Sequence, residues 1–311
     1  MRIAVLGAGG GLGRNVVDAA LAAQHEVVAL VRDSRRTALP ATVATVVGDA
    51  ARPEDLMRVM EGTDATTFCV MPRFASWLNE FAPLLEAAIE AARQTGSRLI
   101  FPANVWIYGP GQVGDLVNEA RAPTPISQRG KLRAEMEQRL RTAGVRYAVV
   151  RLPEFYGPNV VTLTARVFRA VLEGRRVLWP GPLDHTIELV YMPDAARILV
   201  EVAAAPNGDA AVFHMPGVYT TPRQFARLVS VLSGSSAHIS SVPNWLLSAV
   251  GIFSPGIRGV SENVHLWKHP ILLDGAACKA RFGAIPTTLL NEAVQATLAW
   301  HLNHRHVRLQ S

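Results

Sequence analysis

Long apolar runs, cysteines and secretory signals are scarce or missing in this 311-residue chain. The longest apolar candidate, residues 245–253, falls short of the ~18–20 residues that cross a membrane, so no membrane association is expected. Cys69 and Cys278 are too few for a disulfide framework, and we expect two buried thiols in a reduced compartment. A strand-like run begins at Ile3 and leaves no room for a leader, which favours a cytoplasmic location.

Charged residues and metal-ligand spacings are also sparse. Charged side chains make up 18% of the chain and hydrophobic ones 49%, which excludes a disordered chain and allows a sizeable core. The formal net charge is +6, but the arginines are scattered along helices without interleaved aromatics, so no nucleic-acid partner is expected. The nine histidines show neither H-E-x-x-H nor Cys/His spacing, so no metal is expected.

The chain begins with a regular alternation of strands and helices. Short β-branched runs alternate with helical stretches, a rhythm typical of βαβ units and a parallel sheet. Strands are predicted at residues 2–6, 26–31, 45–47, 65–70, 98–101 and 146–150, and helices from Leu12, Pro53, Phe74 and Gln128. The pattern therefore predicts an α/β fold with a Rossmann-like, doubly wound parallel sheet.

Beyond Arg151 the pattern loosens into Pro/Gly-rich turns and separate helices. We predict that the first unit spans residues 1–155 with a return segment at about 187–215. A smaller, discontinuous α+β C-terminal unit then takes residues 156–186 and 216–311. The His/Arg-rich segment 301–310 is expected to be a solvated helix end.

A glycine-rich turn directly follows the first predicted strand and opens a helix. Its candidate cofactor-binding residues are Gly7, Gly9, Gly10, Gly11, Leu12 and Gly13. The G-x-x-G-x-x-G spacing differs from the commoner G-x-G-x-x-G fingerprint, but the context is the same. Backbone N–H groups at the start of such a helix can face a pyrophosphate, so a dinucleotide is expected. A merely tight strand-to-helix turn is the alternative.

The end of the second strand favours NADP(H) over NAD(H). Arg32 stands where an NAD-selective protein places an acid on the ribose 2′-hydroxyl, and Arg35 and Arg36 follow. A guanidinium there can pair with a 2′-phosphate. Asp33 leaves NAD(H) as an alternative, and Arg35 and Arg36 are equally consistent with exposed loop charges.

The third strand is followed by Gly48, Asp49 and Ala50. Asp49 offers an acceptor where the adenine amino group is expected, and Ala50 would lie beside it. Alternatively, Asp49 simply caps the following turn.

These segments together resemble the short-chain dehydrogenase/reductase superfamily in its extended and atypical branches, which include epimerase/dehydratase-like, NmrA-like and isoflavone-reductase-like proteins. The matching segments are the glycine turn, Val28–Arg32, Gly48–Asp49, Ile107–Gly109, Arg151–Pro158 and Val190–Ala196. The resemblance covers almost the whole chain. It implies a cofactor-binding first unit, a substrate-binding second unit, cofactor contacts from Val70, Met71 and Pro153, and a homodimer as one expectation.

Two catalytic positions depart from the family pattern. Asn104 stands four residues before Tyr108, where extended members carry Ser or Thr, and Ser127 replaces the tyrosine of Tyr-x-x-x-Lys. A serine hydroxyl is too weak an acid to replace the phenol, and such general acid–base help is worth ~10²–10⁴-fold. Lys131 matches the motif lysine, so the resemblance implies that it contacts the nicotinamide ribose or transfers a proton. A solvated helix lysine is the alternative.

The remaining candidates concern the substrate. Asn104, Glu154, Tyr156 and His185 are the predicted contacts, and Glu154 stands where sugar epimerases commonly place a substrate-facing Asn. Tyr156, like Tyr108, is also a candidate acid, although each is more often structural. We predict an NADP(H)-dependent reductase of a small, fairly apolar carbonyl or enone that relies on Lys131. The alternatives are a non-catalytic, NmrA-type NADP(H)-binding regulator and a sugar-nucleotide epimerase or dehydratase.

Overall fold

A computed structural model describes residues 1–33, 37, 39–111, 115–206, 209–252 and 255–304. The strands are β1 Arg2–Leu6, β2 Glu26–Val31, β3 Ala44–Val47, β4 Ala65–Phe68, β5 Arg98–Asn104, β6 Leu116–Val117, β7 Tyr147–Leu152, β8 Glu154–Tyr156, β9 Val177–Trp179, β10 Ile187–Tyr191, β11 Ala211–His214, β12 Val218–Thr220, β13 Ile239–Ser241 and β14 Leu272–Leu273. The helices are α1 Gly11–Ala22, α2 Pro53–Met60, α3 Trp77–Thr95, α4 Gln128–Thr142, α5 Leu163–Leu172, α6 Met192–Ala204, α7 Pro222–Ser233, α8 Asn244–Gly251, α9 Pro255–Glu262, α10 His265–Lys268, α11 Ala276–Phe282 and α12 Leu290–Asn303. Short 3₁₀ turns occupy Phe74–Ser76 and Val105–Ile107.

Seven parallel strands form the main sheet, in the order β11–β7–β5–β4–β1–β2–β3. Strands β2 and β3 lie on one side of β1, and β4, β5, β7 and β11 lie on the other, as in a doubly wound fold. Because all seven strands are parallel, their carboxyl ends lie along one edge of the sheet. The predicted α/β fold class is therefore confirmed. The outermost strand, β11, lies in the predicted return segment, although no separate strand is predicted there from the sequence.

Each central strand is apolar on both sides because helices cover both faces of the sheet. In β1, Ala4 and Leu6 pack with α2 and α3, whereas Ile3 and Val5 pack with α1 and α6. All four side chains are fully buried. Cys69 and Cys278 are buried and free, as predicted.

The second unit is built around a three-stranded sheet, β12–β10–β8. Its core includes Tyr156, Phe168, Trp179 and Phe225 from different elements. Within residues 187–215, α6 and β11 pack on the main sheet, whereas β10 pairs with β8 and β12.

The described beginning of the His/Arg-rich segment is the end of α12, with residues 302–304 exposed as predicted. His301 is half-buried, and its ring stacks on Phe168 at 5.4 Å between centroids. Residues 305–310 lie outside the part of the chain that the structure describes. Among the helices described, none is long and apolar enough to cross a membrane.

Candidate functional site

The glycine turn joins β1 to α1 through very close backbone contacts. Gly7 has a φ of +82°, in the left-handed region that favours glycine, and its carbonyl oxygen accepts a hydrogen bond from Gly10 N at 2.9 Å. A Cβ on Gly13 would lie only 2.2 Å from the Gly7 carbonyl oxygen, and a Cβ on Gly7 would lie 2.7 Å from Cys69 O. The turn can therefore keep this shape only with glycine at these positions.

The start of α1 is open to an anion. Gly10 occupies the N-cap position without a capping side chain, and the first turn carries no acidic residue. The first N–H groups of a helix lack intrahelical partners and carry partial positive charge. A close backbone approach with uncapped N–H groups suits the pyrophosphate of a dinucleotide. These residues therefore fit the predicted cofactor.

A segment of the second unit lies against this turn. A Cβ on Gly11 would lie 2.3 Å from the carbonyl oxygen of Asn159, which itself has a φ of +63°. Leu12 packs beside Val160 and Met192. Gly9 faces the side chain of Thr37 instead. The loop after β8 therefore borders the cofactor site.

The ends of β2 and β3 lie side by side, since Val31 pairs with Val47. Arg32 follows β2 directly, is exposed, and pairs with no residue that the structure describes. Arg35 and Arg36 lie outside the described residues. Asp49 is exposed next to this edge, as an adenine contact requires, but its Oδ1 accepts a hydrogen bond from Ala51 N at 3.0 Å. That bond is the turn cap considered as the alternative.

Four other predicted cofactor contacts differ in exposure. Ala50 and Val70 are buried, and so is Pro153 between β7 and β8. Met71 is 59% exposed, beyond the end of β4. Ala50 follows β3, Val70 and Met71 follow β4, and Pro153 follows β7. All four residues therefore lie along the carboxyl edge of the main sheet.

Helix α4 carries the motif lysine, but on its outer face. Lys131 and Glu135 are exposed, in a stripe that continues through Gln138. The buried stripe holds Arg129, Arg133, Glu137 and the apolar residues Leu132, Met136 and Leu140. At 100° per residue, Lys131 lies about 200° round the helix from Arg133. Lys131 is therefore accessible from solvent, and its contact with the cofactor stays a prediction.

The two buried arginines of α4 were not singled out from the sequence. Arg133 donates to the Pro102 carbonyl oxygen at 2.6 Å and lies over the Phe81 and Phe101 rings. Arg129 pairs with Glu262 at 3.2 Å. The spacing of Leu132, Met136 and Leu140 marks the packed face of α4 and places residues 129 and 133 beside it. This spacing could have identified both arginines as buried.

Ser127 and Asn104 are engaged in local capping bonds. Ser127 is the buried N-cap of α4, and its Oγ accepts a hydrogen bond from Gly130 N at 3.0 Å. Asn104 ends β5, and its Oδ1 accepts from Trp106 N at 3.2 Å. Asn104 is half-buried at the carboxyl edge of the sheet, so its amide group remains within reach of a ligand there.

Tyr108 belongs to a buried network rather than to an open cleft. Its Oη accepts from Arg151 Nη1 at 2.6 Å, and Arg151 also binds Glu137 at 2.7 Å. His214 Nδ1 bonds the Val117 carbonyl oxygen at 2.9 Å and must donate there, so Nε2 accepts from Tyr108 Oη at 2.8 Å. Burial raises the pKa of Tyr108 to about 12, so this phenol is a poor proton donor.

Two buried polar groups of β8 have no hydrogen-bond partner among the described residues: Glu154 Oε1 and Tyr156 Oη. Tyr156 is fully buried against Tyr191 and Phe225, and burial raises its pKa. His185 lies farther along the second unit, where its Nδ1 bonds the Lys268 carbonyl oxygen at 3.0 Å. Asn104 pairs with Leu152 at the end of β7, and Glu154 follows Leu152 by two residues, so the structure brings these two predicted substrate contacts to the same edge of the sheet.

Comparison with known families accounts for the glycine turn and its surroundings. The family model described as NAD(P)H-binding matches residues 7–166, just over half of the chain. This chain belongs to the NAD(P)H-binding family. The predicted resemblance is thereby confirmed, and the protein is a nicotinamide-dinucleotide-binding protein.

Curated relatives of this family member are uncharacterized proteins of Mycobacterium tuberculosis and Mycobacterium bovis. Each is 26% identical over 245 residues, which cover 78% of this chain but 24% of the relative. The chain thus spans about a quarter of the length of these relatives.

Solved structures with the same fold include extended members of the superfamily. A UDP-glucose 4-epimerase from Thermotoga maritima, solved with UDP-glucose, has a TM-score of 0.78 and 20% identity, covering 97% of this chain and 99% of that one. A dTDP-glucose 4,6-dehydratase from Bacillus anthracis, solved with NAD, has a TM-score of 0.81 and 15% identity, covering 98% of both chains. At these identities the likeness establishes the epimerase/dehydratase-like fold of this NAD(P)H-binding protein and no more.

Proposed function

We propose that this protein is an NADP(H)-dependent oxidoreductase that reduces a small, fairly apolar carbonyl or enone. The observation that carries the proposal is the tightly packed glycine turn, which presents the uncapped start of α1 to an anion. Arg32 at the end of β2, exposed and without a partner among the described residues, supports NADP(H), because it can pair with a 2′-phosphate.

The chain's own residues would bind the cofactor and hold the substrate at the carboxyl edge of the sheet. When bound, the reduced nicotinamide supplies a hydride. The glycine turn would hold the pyrophosphate and Arg32 the 2′-phosphate. Asn104 and Glu154 border the place where β5 and β7 end, beside the apolar second unit.

The cofactor preference is tested by titrating NADPH and NADH into the wild type and the Arg32→Ala variant. Charge-assisted hydrogen bonds contribute about 1.5–3 kcal/mol, so we expect roughly 10–100-fold weaker NADPH binding and little change for NADH. Arg227→Ala is the matched control, since Arg227 is an exposed arginine on α7. Equal weakening for both cofactors would contradict the preference for NADP(H).

The oxidoreductase activity is tested with NADPH that carries deuterium at the transferable C4 position. The protein is incubated with a panel of small aldehydes and α,β-unsaturated ketones, and products are searched for deuterium by mass spectrometry. A deuterated product identifies a reductase. Tight NADPH binding without any labelled product contradicts the proposal.

A second candidate is a non-catalytic NADP(H)-binding regulator. It is favoured by one observation: Ser127 and Asn104, at the positions of the family's Tyr and Ser, are engaged in capping bonds. This candidate predicts no hydride transfer, together with a conformational difference between the NADP⁺ and NADPH complexes. Hydrogen exchange of the loop after β8 measures that difference, because the loop touches Gly11. The predicted homodimer stays a prediction, which light scattering can check.

A further inference from the structure

Helix α4 buries one carboxyl group, that of Glu137, and it is paired with Arg151 at 2.7 Å. Arg133 is fixed by the Pro102 carbonyl oxygen and two phenylalanine rings. Burial lowers its pKa to about 10, which still leaves it protonated at neutral pH. Arg129 is paired with Glu262. A reductase with this helix needs its proton from another element.

Glu154 is a carboxyl group that lies at the carboxyl edge of the main sheet. Only Pro153 separates it from the end of β7, and β7 ends beside Asn104. On its other side, Glu154 pairs with Leu189 of β10, which belongs to the core of the second unit. Glu154 therefore lies at the boundary between the cofactor-binding sheet and the second unit.

The surroundings of Glu154 favour a neutral carboxylic acid. Its Oε1 is shielded from solvent and has no hydrogen-bond partner among the described residues. Burial raises the pKa of Glu154, and the hydrogen bond with the Thr162 side chain opposes this only in part. Burial with no paired cation among the described residues favours the protonated form of a carboxyl, in which it can donate.

Tyr156 is the competing donor on the same strand, but it borders only a very small cavity. Its ring lies in the core of the second unit and borders a cavity of about 10 Å³ together with Tyr191 and Asp194. That volume is at the lower limit for one water molecule. A substrate cannot enter it.

We propose that Glu154 is the catalytic acid of this protein; the proposal rests on the proposed reductase function. A hydride adds to the substrate carbonyl carbon, the π-electron pair moves to the carbonyl oxygen, and this oxygen takes the carboxyl proton of Glu154. The products are an alcohol, NADP⁺ and the Glu154 carboxylate, which regains a proton from water.

The test compares wild type, Glu154→Gln and Glu80→Gln. Glutamine keeps the size of the side chain but has no acidic proton, and Glu80 is an exposed control on α3. In single turnovers with NADPH and the aldehyde and enone panel, we expect Glu154→Gln to lose about 10²-fold or more in rate with unchanged NADPH affinity. Independently of turnover, the infrared absorption of protonated buried carboxyls should decrease in Glu154→Gln but not in Glu80→Gln, whereas the contribution of Glu188 is common to all three proteins.

Three results would overturn the proposal, and they are distinguishable. Unchanged turnover in Glu154→Gln removes Glu154 from the reaction while the reductase function stands. A comparable loss in Tyr156→Phe, with Glu154→Gln active, assigns the proton to Tyr156 instead. The absence of hydride transfer by the wild type, despite NADPH binding, overturns the reductase function itself and the acid with it.

Discussion

Buried charged residues of this protein are paired with specific side chains, and Glu137 is an example. Its carboxylate faces Arg151, and both side chains are almost fully buried, at 3% and 1% exposure. Arg151 in turn holds the hydroxyl of Tyr108. Four elements meet in this network, because Tyr108 follows β5, Arg151 lies on β7, Glu137 on α4 and His214 on β11. The network therefore ties α4 to the carboxyl edge of the sheet.

Glu137→Gln should destabilise the protein strongly. The substitution leaves the Arg151 guanidinium buried without its counter-charge, and breaking a buried pair in this way costs about 3–5 kcal/mol. Urea unfolding measures the change in the free energy of unfolding. Glu86→Gln is the control, because the Glu86–Arg139 pair is about half exposed and should contribute about 1 kcal/mol or less. Similar losses of unfolding free energy in both variants would show that the buried pair contributes no more to stability than the exposed pair.

At the scale of whole elements, the parallel sheet was predictable and the orientation of α4 was not. Strands β1 and β2 begin and end where the sequence predicts, because continuous apolar runs between helices leave few alternatives. In α4, however, arginines take buried positions, so polarity does not separate the two faces of the helix. The Ser127–Lys131 spacing matches a motif, with Ser127 on the buried side of the helix start and Lys131 exposed. The motif register alone could not place these side chains.

The shape of the glycine turn requires glycine at position 13, and Gly13→Ala tests this requirement. The added Cβ would meet the Gly7 carbonyl oxygen at 2.2 Å, and neither backbone can move without separating β1 from α1. We expect loss of NADPH binding and a decrease of about 1–3 kcal/mol in the free energy of unfolding. Gly10→Ala is the milder comparison, because its Cβ would lie 3.3 Å from the same oxygen. NADPH affinity in Gly13→Ala equal to that in Gly10→Ala would contradict the steric explanation.

Across the whole molecule, buried titratable groups make stability depend on pH in opposite directions. Burial raises the pKa of Glu188 to about 7 from 4.5, so its contribution to stability is present at low pH and is lost as the pH rises through that range. Burial lowers the pKa of His301 to about 4 from 6.5, and Arg169 and His304 act in the same direction. The neutral form of His301 is favoured in the folded protein. Its contribution is therefore present above pH 6.5 and is lost as the pH falls towards 4.

His301→Phe isolates the second effect. Phenylalanine can keep the stacking on Phe168 that joins α12 to α5, but it cannot take up a proton in the unfolded chain. Between pH 6.5 and 4, we expect the variant to gain roughly 1–3 kcal/mol in unfolding free energy relative to the wild type. The contribution of Glu188 is common to both proteins and cancels in this difference. Urea unfolding across that pH range measures it, and a difference that stays constant with pH would show that His301 titrates alike in the folded and unfolded chains.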